Sequence, residues 1–164
     1  QWSYCLSVAL KQIGKTPHVT LADASKSALA MAAHNIRSLG VEAQCVEMDL
    51  LSDWAESVFE KYDIVIVDPP ALAKTKQDVP AALHAYAKVN GKALERVRFG
   101  GVFVACSCSG VVKEPDFLGA LLKASKRAKR SLRILSRASH HLDHFQILEF
   151  PEGEYLKCVT AQAH

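Results

Sequence analysis

The sequence predicts a doubly wound α/β domain built around a mostly parallel sheet, and three observations predict it. Strand-like and helix-like segments alternate along the chain. Asp63-Ile64-Val65-Ile66-Val67 is an unalternating β-branched run, of the kind buried on both faces of a parallel sheet. Helical segments stop at glycines such as Gly14 and Gly40.

Residues 6–13 place apolar side chains at helical spacing and end at Gly14. Residues 18–23 read as a short strand ending in Asp23. Ser25 or Ser27 can cap the next helix, which carries Leu29, Ala32, Ala33, Ile36 and Leu39 and closes at Gly40. A strand over 43–48 and a helix over about 52–61 precede the β-branched run. A long helix follows Asp78, with Pro80 in its first turn and Gly91 in its middle. Gly100-Gly101 is expected to turn into a strand over 102–106. A helix over 114–130 and a strand over 132–135 come next. Residues 145–150 and 155–160, separated by Pro151-Glu152-Gly153, suggest a hairpin or sheet edge.

The 164 residues suffice for one domain, and 49% hydrophobic content with a net charge of +3 excludes disorder as the main state. No apolar run approaches the roughly 20 residues that span a bilayer, so a cytoplasmic protein with no membrane partner is expected. Five cysteines, an odd number without C-x-x-C spacing, argue against a disulfide framework and against a zinc knuckle.

In doubly wound sheets, ligands bind beyond the carboxyl ends of the strands. Asp23, Asp49, Asp68-Pro69-Pro70 and Ser107-Cys108-Ser109 all fall there, and one shared crevice is expected. Asp23 can accept hydrogen bonds from the hydroxyls of an adenosine ribose, or simply cap a helix. Asp49 can meet an adenine amino group, or start the next helix. Two prolines stiffen the exit from a buried strand and hold Asp68 and its neighbouring carbonyls in place, as recognition of a planar base requires. A solvated turn is the alternative. Cys108 is the candidate nucleophile: a thiolate adding to C6 of a pyrimidine makes C5 electron-rich enough to attack a methyl electrophile. The ordinary alternative, a small buried apolar cysteine, is favoured for Cys106.

Lys74 and Lys76 are well placed for a phosphate. The basic run over 123–130 fits a solvated helix end better than an RNA contact. His140, His141 and His144 lack the further carboxylates or histidines a metal site needs, so no metal is expected.

Several of these motifs coincide in one known family. Asp68-Pro69-Pro70-Ala71-Leu72-Ala73-Lys74-Thr75-Lys76 resembles the DPPAFAKSK stretch of class I S-adenosylmethionine-dependent methyltransferases that act on bacterial large-subunit rRNA. These are of the cytosine-C5 type, usually fused to an N-terminal PUA domain. Gly100-Gly101-Val102 through Ser107-Cys108-Ser109-Gly110 is similar to that family's GGxxxxxSCSG strand. Asp143-His144 and the segment 150–157 resemble its DH and FPEGxYLK tail.

The resemblance implies a Rossmann-like class I methyltransferase fold with an antiparallel C-terminal strand, S-adenosylmethionine as cofactor and rRNA as partner. It also implies residue roles: Asp23 on the cofactor ribose, Asp49 on the adenine edge, Asp68 on the target cytosine, and Cys108 as nucleophile. Tyr4 and Asp68 would contribute to the cofactor site. Pro69, Pro70, Lys74 and Lys76 would line the substrate side.

The family opens with an apolar strand and a glycine-rich SYxGG turn, whereas here Ser3-Tyr4 are followed by Cys5-Leu6-Ser7. A domain spanning 1–164, lacking its first strand and a PUA domain, is therefore expected, either cut short or degenerate. Transfer to a guanine ring nitrogen and a catalytically inactive RNA-binding homologue are the alternatives. A nicotinamide oxidoreductase is a distant third, since no G-x-G-x-x-G follows a predicted strand.

Overall fold

The computed structural model describes residues 2–52, 54, 60–140, 147–150 and 153–164, with side chains from residue 5 onward. It comprises two compact units, Gln1–Val58 and Phe59–His164, each with its own hydrogen-bonded sheet.

In the first unit the order is α1 (Trp2–Gln12), β1 (Val19–Asp23), α2 (Lys26–Arg37) and β2 (Ala43–Glu47). Helix α1 begins earlier than the apolar spacing predicts and gives way to Gly14 at φ +72°. Ser25, rather than Ser27, is the N-cap of α2, its Oγ accepting from the Ala28 amide at 3.2 Å. Leu29, Ala33 and Ile36 form the buried stripe of α2. Strands β1 and β2 pair in parallel with Asp23 opposite Glu47, and the Asp23 carbonyl accepts from the Met48 amide at 3.0 Å. The Lys11 ammonium donates to the Leu39 carbonyl and ties α1 to the end of α2.

The second unit carries β3 (Tyr62–Val67), α3 (Val79–Leu94), β4 (Val97–Ser107), α4 (Glu114–Arg127), β5 (Leu132–Ala138) and β6 (Lys157–Ala163). Its sheet order is β3-β4-β6-β5, with β3 and β4 parallel and β6 antiparallel to both neighbours. The expected mixed sheet with an antiparallel C-terminal strand is thus present. Helices α3 and α4 pack through Tyr86 and Phe117, whose rings meet edge to face at 5.2 Å and 82°. At Gly91, on the same face, a Cβ would make only ordinary van der Waals contact, 3.4 Å from Cδ of Arg127 and 3.6 Å from the Ala124 carbonyl.

Four expectations need correction. Gly100-Gly101 does not begin a strand. One continuous β4 runs from Val97 to Ser107 through both glycines. Its register against β3 jumps from Tyr62↔Val97 to Ile64↔Val102, so a bulge absorbs the extra residues. Gly101 is required there, because a Cβ would meet the Asp63 carbonyl and Val97 Cγ1, each at 2.9 Å. Strand β5 extends to Ala138, past the predicted 135, because β6 supplies partners for Ser136, Arg137 and Ala138 beyond a register shift at Leu135. Residues 147–150 form a turn rather than a strand, closed by the Phe150 amide on the Ile147 carbonyl at 2.9 Å. The strand expected over 155–160 begins at Lys157, where pairing with β4 starts, and runs to Ala163. The predicted helix over 52–61 lies mostly outside the described residues.

Among the described residues, no helix is long and apolar enough to cross a membrane.

Candidate active site

The first unit places two carboxylates at the carboxyl ends of neighbouring parallel strands. Asp23 closes β1, and its Oδ1 accepts from the Ser25 amide at 2.8 Å. Asp49 follows β2 by two residues, and its Oδ1 accepts from the Leu51 amide at 2.9 Å. Both are exposed. Each spends one oxygen on its own turn, as the capping alternative requires, and has a second acceptor oxygen. The two readings are therefore compatible: the local bond orients a carboxylate that can also meet a ligand.

That arrangement fits the ribose and adenine edge of S-adenosylmethionine. The N-terminal segment fits less well. Residues 2–12 are helical, and Cys5, Leu6 and Ser7 present side chains where the family's glycines leave bare backbone. Ser7 is buried, and its hydroxyl has no partner among the described residues. Tyr4 lies on α1, but its side chain is outside the described part of the structure.

The second unit gathers the candidate nucleophile and the proline pair. Strand β3 ends at Val67, so Asp68 is exposed immediately beyond it while Pro69 is buried. Cys108, half-buried, follows the last residue of β4, and its Sγ lies 3.8 Å from the Pro69 carbonyl oxygen. Parallel pairing of β3 and β4 places both strand ends on one edge of the sheet.

A buried hydroxyl chain fixes the loop. Ser107 Oγ donates to the Tyr86 hydroxyl at 2.9 Å, and Tyr86 shares a 3.0 Å hydrogen bond with Ser109 Oγ. The Ala73 amide donates to Ser109 Oγ at 3.2 Å, joining the segment after the prolines to the same network. Cys108 is thus held between two serines that are both anchored to α3. The segment beyond is pinned by Asp78, whose Oδ2 accepts from the Thr75 amide and hydroxyl, each at 2.8 Å. Those bonds hold its carboxyl below the ordinary 3.8. Lys74 and Lys76 are exposed there.

On the other side of Cys108 stands a pair of thiols. Cys106 and Cys158 face each other across β4 and β6, their sulfurs 3.5 Å apart. Cys106 donates to Cys158, and that bond together with burial pushes its thiol well above the ordinary range. The preference for a buried, unreactive Cys106 agrees with this geometry.

Sequence reasoning missed Tyr86, Lys157 and Arg130. Lys157 Nζ donates to the carbonyls of Ser109 at 2.6 Å and Val112 at 2.7 Å. Arg130 ends the basic run over 123–130, yet it is not a solvated charge. Its guanidinium donates to five carbonyls, those of His164, Leu94, Val97, Arg98 and Ala163, at 2.7–3.4 Å. Lys129 at φ 53° turns the chain at the end of α4, next to Arg130. Lys123 and Lys126 in the same run are exposed, as a solvated face predicts. Among the described residues no cluster of three metal-binding side chains occurs. His141 and His144 lie outside them.

The architecture is that of the class I S-adenosylmethionine-dependent methyltransferases. It superposes on SMU.776, solved in complex with SAH, with a TM-score of 0.72 at 21% identity, over 97% of this chain and 43% of that one. A SAM-dependent methyltransferase from Streptococcus mutans gives 0.69 at 20% identity, with the same coverages. Residues 5–114 match the model of the methyltransferase small domain, and the chain belongs to that family.

Among its relatives, the ribosomal RNA large subunit methyltransferase of Deinococcus radiodurans is 35% identical over 159 residues, covering 91% of this chain and 37% of the relative. The ribosomal RNA large subunit methyltransferase I of Aeromonas salmonicida is 32% identical over 156 residues, covering 92% and 39%. The chain therefore spans about two-fifths of the length of these relatives.

Proposed function

We propose that the chain is the methyl-transferring part of an S-adenosylmethionine-dependent RNA methyltransferase that acts on cytosine C5 of large-subunit rRNA. The observation that carries this reading is the placement of Cys108. It is a half-buried thiol at a strand end, 3.8 Å from the Pro69 carbonyl, on a loop fixed through Ser107 and Ser109. The names and identities of the relatives support rRNA as the substrate class.

Bound S-adenosylmethionine supplies an electrophilic methyl group. Asp23 would accept from its ribose hydroxyls and Asp49 from its adenine amino group, with Tyr4 contributing to the same site. Asp68 accepts from the exocyclic amine of the target cytosine. Pro69 and Pro70 keep the loop rigid around the base, and Lys74 and Lys76 meet backbone phosphates.

The Cys108 thiolate adds to C6, and the electron pair of the C5–C6 bond moves to C5, which takes the methyl group as the methyl–sulfonium bond breaks and leaves its electrons on the donor's sulfur. A base then removes the C5 proton. The electrons of that C–H bond restore the C5–C6 double bond as the C6–S bond breaks, returning the thiolate.

RNA carrying 5-fluorocytidine tests this sequence, because a fluorine at C5 cannot be removed as a proton. A covalent protein–RNA adduct that survives denaturation and maps to the peptide bearing Cys108 is expected. No adduct, together with methylation of ordinary RNA, would move the reaction to a guanine ring nitrogen.

The helical, glycine-free segment 2–12 favours one other reading, a domain that binds RNA without using the cofactor. Calorimetry with S-adenosylmethionine at millimolar concentration separates the two: heat of binding supports the enzyme, and its absence the RNA-binding domain.

A further inference from the structure

Lys157 is the first residue of β6 and pairs with Ser107, the last residue of β4. Its side chain reaches past the strand ends, and Nζ donates to the Ser109 and Val112 carbonyls, one and four residues beyond Cys108. Two neutral carbonyls hold the ammonium in place without neutralising its charge. No described carboxylate lies within ion-pair distance of it.

We propose that Lys157 is a positioning residue for Cys108: it fixes the loop that carries the thiol and provides the positive charge that favours its thiolate. This rests on the reading of Cys108 as the nucleophile.

Asp68 opposes the charged forms of the neighbouring thiols Cys106 and Cys158. Lys113 is a second cation near Lys157 and opposes its charged form. Burial also pulls the Lys157 ammonium down from its ordinary 10.5, while the negative charge of Cys108 pulls it back up. Ser107 and Ser109 complete the surroundings with hydroxyls already committed to Tyr86.

The test is the pH profile of iodoacetamide alkylation in the native chain, read peptide by peptide so that Cys108 is followed separately. Lys157→Gln keeps a donor for the carbonyls but removes the charge, and Lys157→Arg keeps the charge. The proposal expects the Cys108 midpoint to rise by about one pH unit in Lys157→Gln, with roughly tenfold slower alkylation at neutral pH. Lys157→Arg should stay within a few tenths of the original midpoint. The exposed Cys5 and Cys45 should alkylate alike in all three chains.

An unchanged Cys108 midpoint in Lys157→Gln overturns the proposal. So does an equal rise in both variants. Should the glutamine variant not fold, Lys157→Met takes its place as the charge-free chain: a rise of the midpoint supports the proposal and an unchanged midpoint overturns it. Alkylation needs neither RNA nor methyl donor, so its outcome is independent of whether the chain methylates cytosine.

Discussion

The hydroxyls of Tyr86 and Ser109 lie 3.0 Å apart in the interior of the second unit, where neither side chain reaches solvent. Ser107 joins the same phenol from the other side of Cys108, so α3 holds the nucleophile's loop at two points. Tyr86→Phe removes the shared oxygen and leaves two buried serine hydroxyls to find new partners. It should cost about 1–3 kcal/mol of stability, read from denaturant unfolding. Because Tyr86 touches neither RNA nor cofactor in this account, kcat should fall about tenfold through misplacement of the thiol, with KM for RNA little changed.

Arg130 should matter more to folding than any other member of its basic run. Its five donors all end on carbonyls near the start of β4, the end of α3 and the C-terminus. Arg130→Met strands these acceptors and should cost about 3 kcal/mol. Lys123→Ala and Lys126→Ala, on the exposed face, should stay within about 0.5 kcal/mol. Equal losses for all three would mean that the run acts as a unit.

The Asp78 turn predicts a response to acid. Its carboxyl is held below 3.8 in the folded chain by the Thr75 hydroxyl and amide. A depressed carboxylate stabilises the fold above its unfolded value, and that contribution disappears as pH falls through the folded value. The window is therefore below about pH 4. Asp78→Asn should flatten the pH dependence of stability there and leave it unaltered near neutrality, as thermal melts across the range would show.

What could be read from the chain, and what could not, divides along local and non-local lines. The β-branched run 63–67, the Ser25 cap of α2 and the prolines after Asp68 are local signals, and each appears within a residue or two of its predicted place. The bulge at Gly100-Gly101 was hidden, because glycines read as a turn unless the partner strand is known. Here β3 dictates the register, and Arg98 pairs with Asp63 at 2.8 Å across the bulge.

At the site, Asp68 and Cys108 stood out by motif. Tyr86, Lys157 and Arg130 did not, since their roles consist of bonds to residues about 21 to 48 positions away. A tyrosine at helical spacing reads as core, and the ring of Tyr86 is core. Only its hydroxyl is not.

The central claim is that Cys108 attacks a cytosine. Unmethylated large-subunit rRNA, incubated with S-adenosylmethionine and either the wild-type chain or Cys108→Ala, tests it directly when the digested nucleosides are read by mass spectrometry. The account predicts 5-methylcytidine from the wild-type chain and none from Cys108→Ala. Undiminished methylation by Cys108→Ala, or methyl groups found only on guanine, would contradict it.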